Sequence, residues 1–302
     1  MFARLLIPLD GSRLAESVLP AAQVLARQFG SAVTLLHVIE RHPPADVHGE
    51  RHLASIPEAE AYLGAIAAKT FKDLKVSIHV HGPDAGEVAA IIARHAEEFQ
   101  VDLIALCTHG RGGARELLYG SVAQQVLGRG LVPVLLIRPE GIGQAFTCAR
   151  VVVPLDGSPA SEAALPPAEV LARAFGGQLH LLTVVPTLAT VPTDRAPAAL
   201  LLPGATAATL EIEEQAARGY LVSLAARLRA AAGAVEVEVG RGDPAFVVVE
   251  TADRVGGDLL VMATHGRSGM SAVWAGSMAT RIEARCRRPM LLVRAPGVPE
   301  TA

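Results

Sequence analysis

Short apolar runs recur along the chain, separated by segments of helical periodicity. In the first half they read "LLIPL", "AVTLLHVI", "KVSIHV", "VDLIALC" and "VPVLLI". The second half has "VVVPL", "LHLLTVV", "VEVEV", "DLLVMA" and "PMLLV". Such runs lack strict polar–apolar alternation, which fits strands covered on both faces in a parallel sheet. The third run of each half is more polar and is assigned to a sheet edge. Between the runs, Ser12 and Ser158 stand where a first helix would be capped, with Pro159 at its first position and Gly30 or Gly176 after its last turn. Ala217, Leu221, Leu224 and Leu228 share one face of a later helix. Repeated β–α units with right-handed crossovers predict an α/β fold: in each half a mostly parallel, doubly wound five-stranded sheet with helices on both faces. Ligands of such sheets sit at the carboxyl ends of the strands.

The halves are copies. "RLLIPLDGSRLAESVLPAAQVLARQFG" from Arg4 aligns with "RVVVPLDGSPASEAALPPAEVLARAFG" from Arg150, 146 positions on (150 − 4). "THGRGGARELLYGS" (Thr108 to Ser121) returns as "THGRSGMSAVWAGS" (Thr264 to Ser277), 156 positions on (264 − 108). Two domains follow, residues 1–140 and 148–297, joined by a linker at 141–147, "GIGQAFT".

Composition narrows the class. Aliphatic residues dominate a hydrophobic fraction of 51%, aromatics supply 4%, and 302 residues suffice for two domains with cores of their own. A net charge of −3 leaves no polybasic footprint for nucleic acid or an anionic membrane. The first apolar run is broken by Asp10, too soon for a signal-peptide core or a membrane span, so a soluble cytoplasmic protein is expected. Cys107, Cys148 and Cys286 form no C-x-x-C pair and read as small buried residues.

The repeated motif carries the candidate chemistry. After strand four the chain passes through Thr-His-Gly-Arg, and a helix is expected near Gly-Ser. Gly110 and Gly120, like Gly266 and Gly276, permit close backbone approach, and Ser121 and Ser277 offer hydroxyls beside unpaired N–H groups, a setting that attracts phosphate. The bland alternative, a strand-to-helix turn with an ordinary N-cap, stays open. No G-x-x-x-x-G-K-[ST] occurs, and the partial hits "GRGGAR", "GIGQAF" and "GRGDPA" do not follow strand one, which disfavours P-loop and dinucleotide sites. Asp10 and Asp156 follow strand one, able either to accept from a ribose hydroxyl or adenine amine or merely to make a turn. Arg111 and Arg267 could screen phosphate charge or be solvated, as could Arg115. His109 and His265 are assigned local polar contacts. His48 and His52 lack a third ligand and are assigned to a solvated segment, and no metal site is read.

With these residues in view, each half resembles a universal stress protein domain of the adenine-nucleotide-binding kind, in which G-x-x-G-x(9)-G-[ST] follows strand four and an Asp follows strand one. The family's first glycine is Cys107 here and Ala263 in the second copy, which makes the second copy the nearer match. The resemblance implies a flavodoxin-like fold and ATP or another adenine nucleotide, with Mg2+ accompanying the phosphates. Pro8, Asp10 and Val38, and Pro154, Asp156 and Val184, are then the adenine and ribose side of each site. Cys107, Gly110, Arg111, Gly120, Ser121 and Val122, and Ala263, Gly266, Arg267, Gly276, Ser277 and Met278, are the phosphate side.

The resemblance further implies an internal pseudo-dimer of the two halves through their last strands, association into a homodimer, and an unidentified protein partner for a stress-related binding switch. A slow ATPase and a nucleotide-free interaction module remain alternatives. From Val38 to Gly82 the chain takes 44 residues and from Val184 to Gly242 it takes 58. The longer copy contains "PTLATVPTDRAPAALLLPG", read as a flap or a surface insertion with no helical period before Gly204.

Overall fold

The computed structural model describes residues 1–41, 46–47, 49–84, 86–108, 121–130, 132–139, 145–265 and 272–295. The chain divides into two compact units, residues 1–146 with 287–294, and residues 147–286 with 295–302.

In chain order the first unit has β1 (Arg4–Pro8), α1 (Arg13–Glu16), α2 (Leu19–Phe29), β2 (Ala32–Glu40), β3 (Asp46–Val47), β4 (Glu50–Arg51), α3 (Ile56–Thr70), β5 (Val76–Asp84), α4 (Val88–Glu98), β6 (Leu103–Cys107), α5 (Ser121–Arg129) and β7 (Val134–Ile137). The second has β8 (Arg150–Pro154), α6 (Leu165–Ala174), β9 (Gln178–Val185), α7 (Ala196–Leu201), α8 (Pro203–Ala232), β10 (Val235–Arg241), α9 (Pro244–Arg254), β11 (Leu259–His265) and α10 (Ala272–Glu283). The last strand, β12 (Met290–Ala295), lies almost wholly in the first unit.

In the first unit β7, β6, β1, β2 and β5 lie side by side in that order, all parallel, and β12 runs antiparallel to β7 with Leu291 opposite Leu135. The second unit orders β10, β9, β8 and β11 in parallel. The α/β, doubly wound expectation is met, and the polar third runs are the outer strands β5 and β10. The apolar runs became strands because both faces are covered: Leu5, Leu6 and Ile7 are fully buried, as are Val151, Val152 and Val153. Each such side chain contributes roughly 1.5–3 kcal/mol relative to exposure.

The same device fixes the entry to the first strand of each unit. Asp102, just before β6, accepts from the N–H groups of Ala3 and Arg4 at 2.9 and 3.0 Å, and Asp258, just before β11, accepts from Ala149 and Arg150 at 3.0 and 3.1 Å.

Punctuation held in outline. Ser12 caps α1, which lasts one turn before α2 begins; the Ser158 hydroxyl accepts from the Ser161 N–H at the head of a 3-10 turn, Ser161–Ala164, whose N-cap is Ala160, so Pro159 precedes the helix instead of opening it. The left-handed backbone after α2 is supplied by Gly30, φ +63°. Two expectations are corrected, and one element is added. The proline-bearing stretch before Gly204 contains α7, and Gly204 itself lies in the first turn of α8. The small hairpin β3–β4 had no signal in the apolar pattern. Cys148 and Cys286 are buried, but Cys107 is only half-buried.

Candidate functional site

At the carboxyl ends of β1, β2 and β6 the first unit encloses a cavity of about 240 Å³. Five residues expected at a ligand site line it together: Pro8 and Asp10 from the end of β1, Val38 from β2, Cys107 from β6 and Val122 from the first turn of α5. Leu9, Leu36, Ile92 and Leu106 make its walls apolar, a surface suited to a planar ring with a few polar fixing points.

Asp10 is held by the turn it makes. Its Oδ1 accepts from the Ser12 N–H at 2.9 Å and from the Ser12 hydroxyl at 2.7 Å, while the same hydroxyl caps α1 at Ala15 N. Cys107 Sγ accepts from the Ser17 hydroxyl at 2.9 Å, which orients the thiol that stands at the family's first glycine.

Two histidines of the wall were not foreseen. His37 is 1% exposed. Its Nδ1 lies 2.7 Å from the Leu9 carbonyl; a carbonyl only accepts, so Nδ1 carries the proton and Nε2 is left as an acceptor with no hydrogen-bond partner. Burial pulls its pKa below the usual histidine value, against the upward pull of the Leu9 and Leu53 carbonyls and of Asp10, and His52 adds to the fall. His52, expected in a solvated segment, is buried instead, with its ring 6.1 Å from His37 and its Nε2 3.7 Å from Glu40. On either side of it in sequence, Leu53 packs over Gly11 and Glu50 accepts from the Arg13 N–H. A polar residue inside the apolar run "LLHVI" was the signal available for His37; nothing local marked His52.

In the second unit Pro154 closes β8, Asp156 follows it, Val184 lies near the end of β9, Ala263 lies in β11 and Met278 in α10. Asp156 repeats the turn of Asp10, accepting from the Ser158 N–H and hydroxyl at 2.9 and 2.6 Å. Thr183 takes the place of His37 and likewise buries a side-chain oxygen without a hydrogen-bond partner. The phosphate side differs from expectation. Helix α5 is described from Ser121 onward, whereas α10 is already helical at Ala272, so Gly276 and Ser277 stand inside that helix and not at its start. Gly110, Arg111, Gly120, Gly266 and Arg267 lie outside the described residues, as do His48, His109 and Arg115.

Comparison with known proteins gives a consistent picture. The universal stress protein family matches this chain twice, over residues 1–138 and 148–294. A universal stress protein of Methanocaldococcus jannaschii is 29% identical over 142 residues, covering 46% of this chain and 83% of its own length. One from Synechocystis is 31% identical over 137 residues, 45% of this chain and 86% of its own. The crystal structure of a universal stress protein from Archaeoglobus fulgidus superposes with a TM-score of 0.70 at 21% identity, over 97% of this chain and 99% of that one.

Proposed function

The chain belongs to the universal stress protein family, and from that premise we propose that its first repeat binds an adenine nucleotide, ATP in particular, and that the filled crevice biases contact with a protein partner. The observation that carries this reading is the convergence of Pro8, Asp10, Val38, Cys107 and Val122, drawn from four separate stretches of sequence, on one cavity.

The base lies between the apolar walls. His37 Nε2 is buried without a partner in the free protein, and it accepts from the adenine amino group only as the wall around it opens to admit the base, which removes the cost of leaving that nitrogen unpaired. Asp10 takes a ribose hydroxyl. The phosphates then extend toward the α5 end at Ser121, where N–H groups and the helix dipole favour negative charge; Gly110, Arg111 and Gly120 are assigned to them by the family motif alone. Mg2+, if it accompanies the phosphates, is held among the same residues. The matching positions of the second repeat, from Asp156 to Ser277, form a second candidate site with Ala263 in place of Cys107. Occupancy that orders these turns shifts the population of surfaces offered to a partner, which is how a binding protein acts as a switch.

Mass spectrometry of nucleotide released from the purified chain, followed by calorimetric titration with ATP, tests the reading. Asp10→Ala and His37→Leu should each weaken ATP binding by about 10- to 100-fold, the worth of a hydrogen bond to a charged or buried group. Asp156→Ala should leave the first site's affinity as it is. Full affinity in folded Asp10→Ala and His37→Leu, or no bound nucleotide in either experiment, defeats the proposal.

A further inference from the structure

The edge strand of the first repeat carries chemistry that the crevice does not use. His79 and His81 alternate along β5 and so share one face of the strand. His95 comes to them from α4, where it is 5% exposed. One imidazole nitrogen from each of the three lies within 4.8 Å of those of the other two. The rings are packed, with centroids 4.5 Å apart for His79 and His95 and 5.0 Å for His81 and His95, and Phe99 stacks beneath His95 at 5.1 Å.

Proton positions follow from the partners. His95 Nδ1 is 2.8 Å from Glu98 Oε2; the carboxylate accepts, so Nδ1 holds the proton and the lone pair is on Nε2. That Nε2 is 3.0 Å from His81 Nδ1. Arg94, which can only donate, stands 3.4 Å from His81 Nε2, so His81 holds its proton on Nδ1 and gives it to His95. A carboxylate holding one ring nitrogen so that the other faces a shared point is the arrangement that orients imidazoles around metal ions.

We propose that His79, His81 and His95 form a site for a divalent transition-metal ion, Zn2+, with the fourth position left to water. Three imidazoles suit zinc and its neighbours, whereas Mg2+ and Ca2+ demand oxygen ligands. Tetrahedral Zn–N bonds of about 2.0–2.1 Å place the nitrogens about 3.3 Å apart, a small closure from the spacing of the three rings. On binding, His81 moves its proton from Nδ1 to Nε2 and the exposed Arg94 side chain turns away, so a neutral trio releases no net proton. The ion would tie β5 to α4.

The second repeat lacks the set. In sheet register Glu238 and Gly240 stand where His79 and His81 do, and Thr251 stands where His95 does. Glu238 is paired with Arg254 at 2.5 Å, and a Cβ at Gly240 would meet Val247 at 2.4 Å. One metal per chain is therefore expected from these positions.

The test uses the full chain without an affinity tag, stripped of metal by chelator. Zn2+ calorimetry should give one site, and Co2+ should show the strong visible bands of a tetrahedral complex. His79→Gln and His81→Gln, checked for fold by circular dichroism, should each lose at least about 100-fold in Zn2+ affinity, since even outer-shell changes cost 10- to 100-fold. Unchanged affinity in both variants, or neither heat nor Co2+ bands with the unmodified chain, overturns the proposal. Should the histidine variants not fold, the half-exposed positioning residue Glu98 decides it: Glu98→Gln weakening Zn2+ by about tenfold supports the site, and unaltered binding refutes it.

Discussion

The turns after β1 and β8 are built alike. Both read Asp-Gly-Ser, both give the aspartate Oδ1 two donors from the serine, and both place glycine at positive φ, +93° at Gly11 and +82° at Gly157. What lies over them differs. A Cβ at Gly11 would meet Leu53 at 2.9 Å, whereas one at Gly157 would have open space within 4 Å. The repeats thus keep the backbone scaffold at their strand ends and vary the cover. The first uses the stretch after β2 for a hairpin and a buried His52; the second uses the equivalent, longer stretch for α7 and the start of α8. A crevice with its apolar cover in place is the more complete of the two, although Ala263 made the second copy the nearer sequence match.

The comparison breaks most sharply at Gly177, which occupies the place of Ser31. A Cβ there would lie 2.0 Å from the Cys148 carbonyl oxygen and 2.8 Å from that of Ala149, both backbone atoms that cannot step aside cheaply. Ser31 keeps its Cβ because Phe2, the counterpart of Cys148, takes φ +62°, and its redirected carbonyl accepts from the Ser31 hydroxyl. Gly177→Ser should therefore cost about 3 kcal/mol, and Ser31→Gly about 1 kcal/mol for a lost hydrogen bond and added chain entropy. Urea midpoints of the full chain decide; equal losses would mean that the repeats share one geometry here after all.

Next in size is the cover itself. Gly157→Ala should lose only the cost of forcing a side chain into positive φ, about 1–2 kcal/mol. Gly11→Ala should lose that and about 1 kcal/mol more as Leu53 is displaced, and the displacement should be visible as weaker ATP binding in the first repeat alone. Matching stability losses would show that Leu53 contributes nothing to the turn.

Most of this scaffold could be read in advance, because the apolar runs, the Asp-Gly-Ser turns and the glycine after α2 act through local rules: double-sided burial, short-range hydrogen bonds and positive φ. The cover could not be. His52 is buried beside His37, and half-exposed Leu53 packs over Gly11 from far along the chain, and no local period records such a contact. The histidine trio was missed for a related reason. His79 and His81 look like polar edge-strand residues until α4 brings His95 over them. The Gly-Ser pair of the second repeat reads as a helix start although α10 already runs through Gly276 and Ser277, because Ser277 looks the same as Ser121 by spacing, which leaves Ser271 aside as the alternative cap.

The smallest expected effect separates the repeats by pH. In the first, burial holds His37, His79 and His95 below their ordinary pKa of about 6.5. His37 also faces His52 and Asp10, while the other two face His81 and Glu98. An imidazole with a lowered folded pKa binds fewer protons in the folded than in the unfolded state, so its repeat loses stability as pH falls from about 6.5 toward the folded values. In the second repeat the lowered groups are carboxylates: burial raises Glu238 and Asp243, but hydrogen bonds and charge from Arg254 and His180, and from Arg281 with two N–H groups at the start of α9, leave both lowered, while the raised groups Cys148, Tyr220 and Arg254 stay protonated throughout the acid range. Their contribution is intact above about 4.5 and is lost only as pH falls through the lowered values. Glu58, lowered by Ser55 and Arg51, gives the first repeat an acid limb as well, but its loss begins earlier. Amide hydrogen exchange in the buried strands between pH 7 and pH 5 should therefore show β1 and β2 opening more readily while β8 and β9 do not change. His37→Leu should blunt the first response, and an equal acid sensitivity in both repeats would show that the buried imidazoles do not set it.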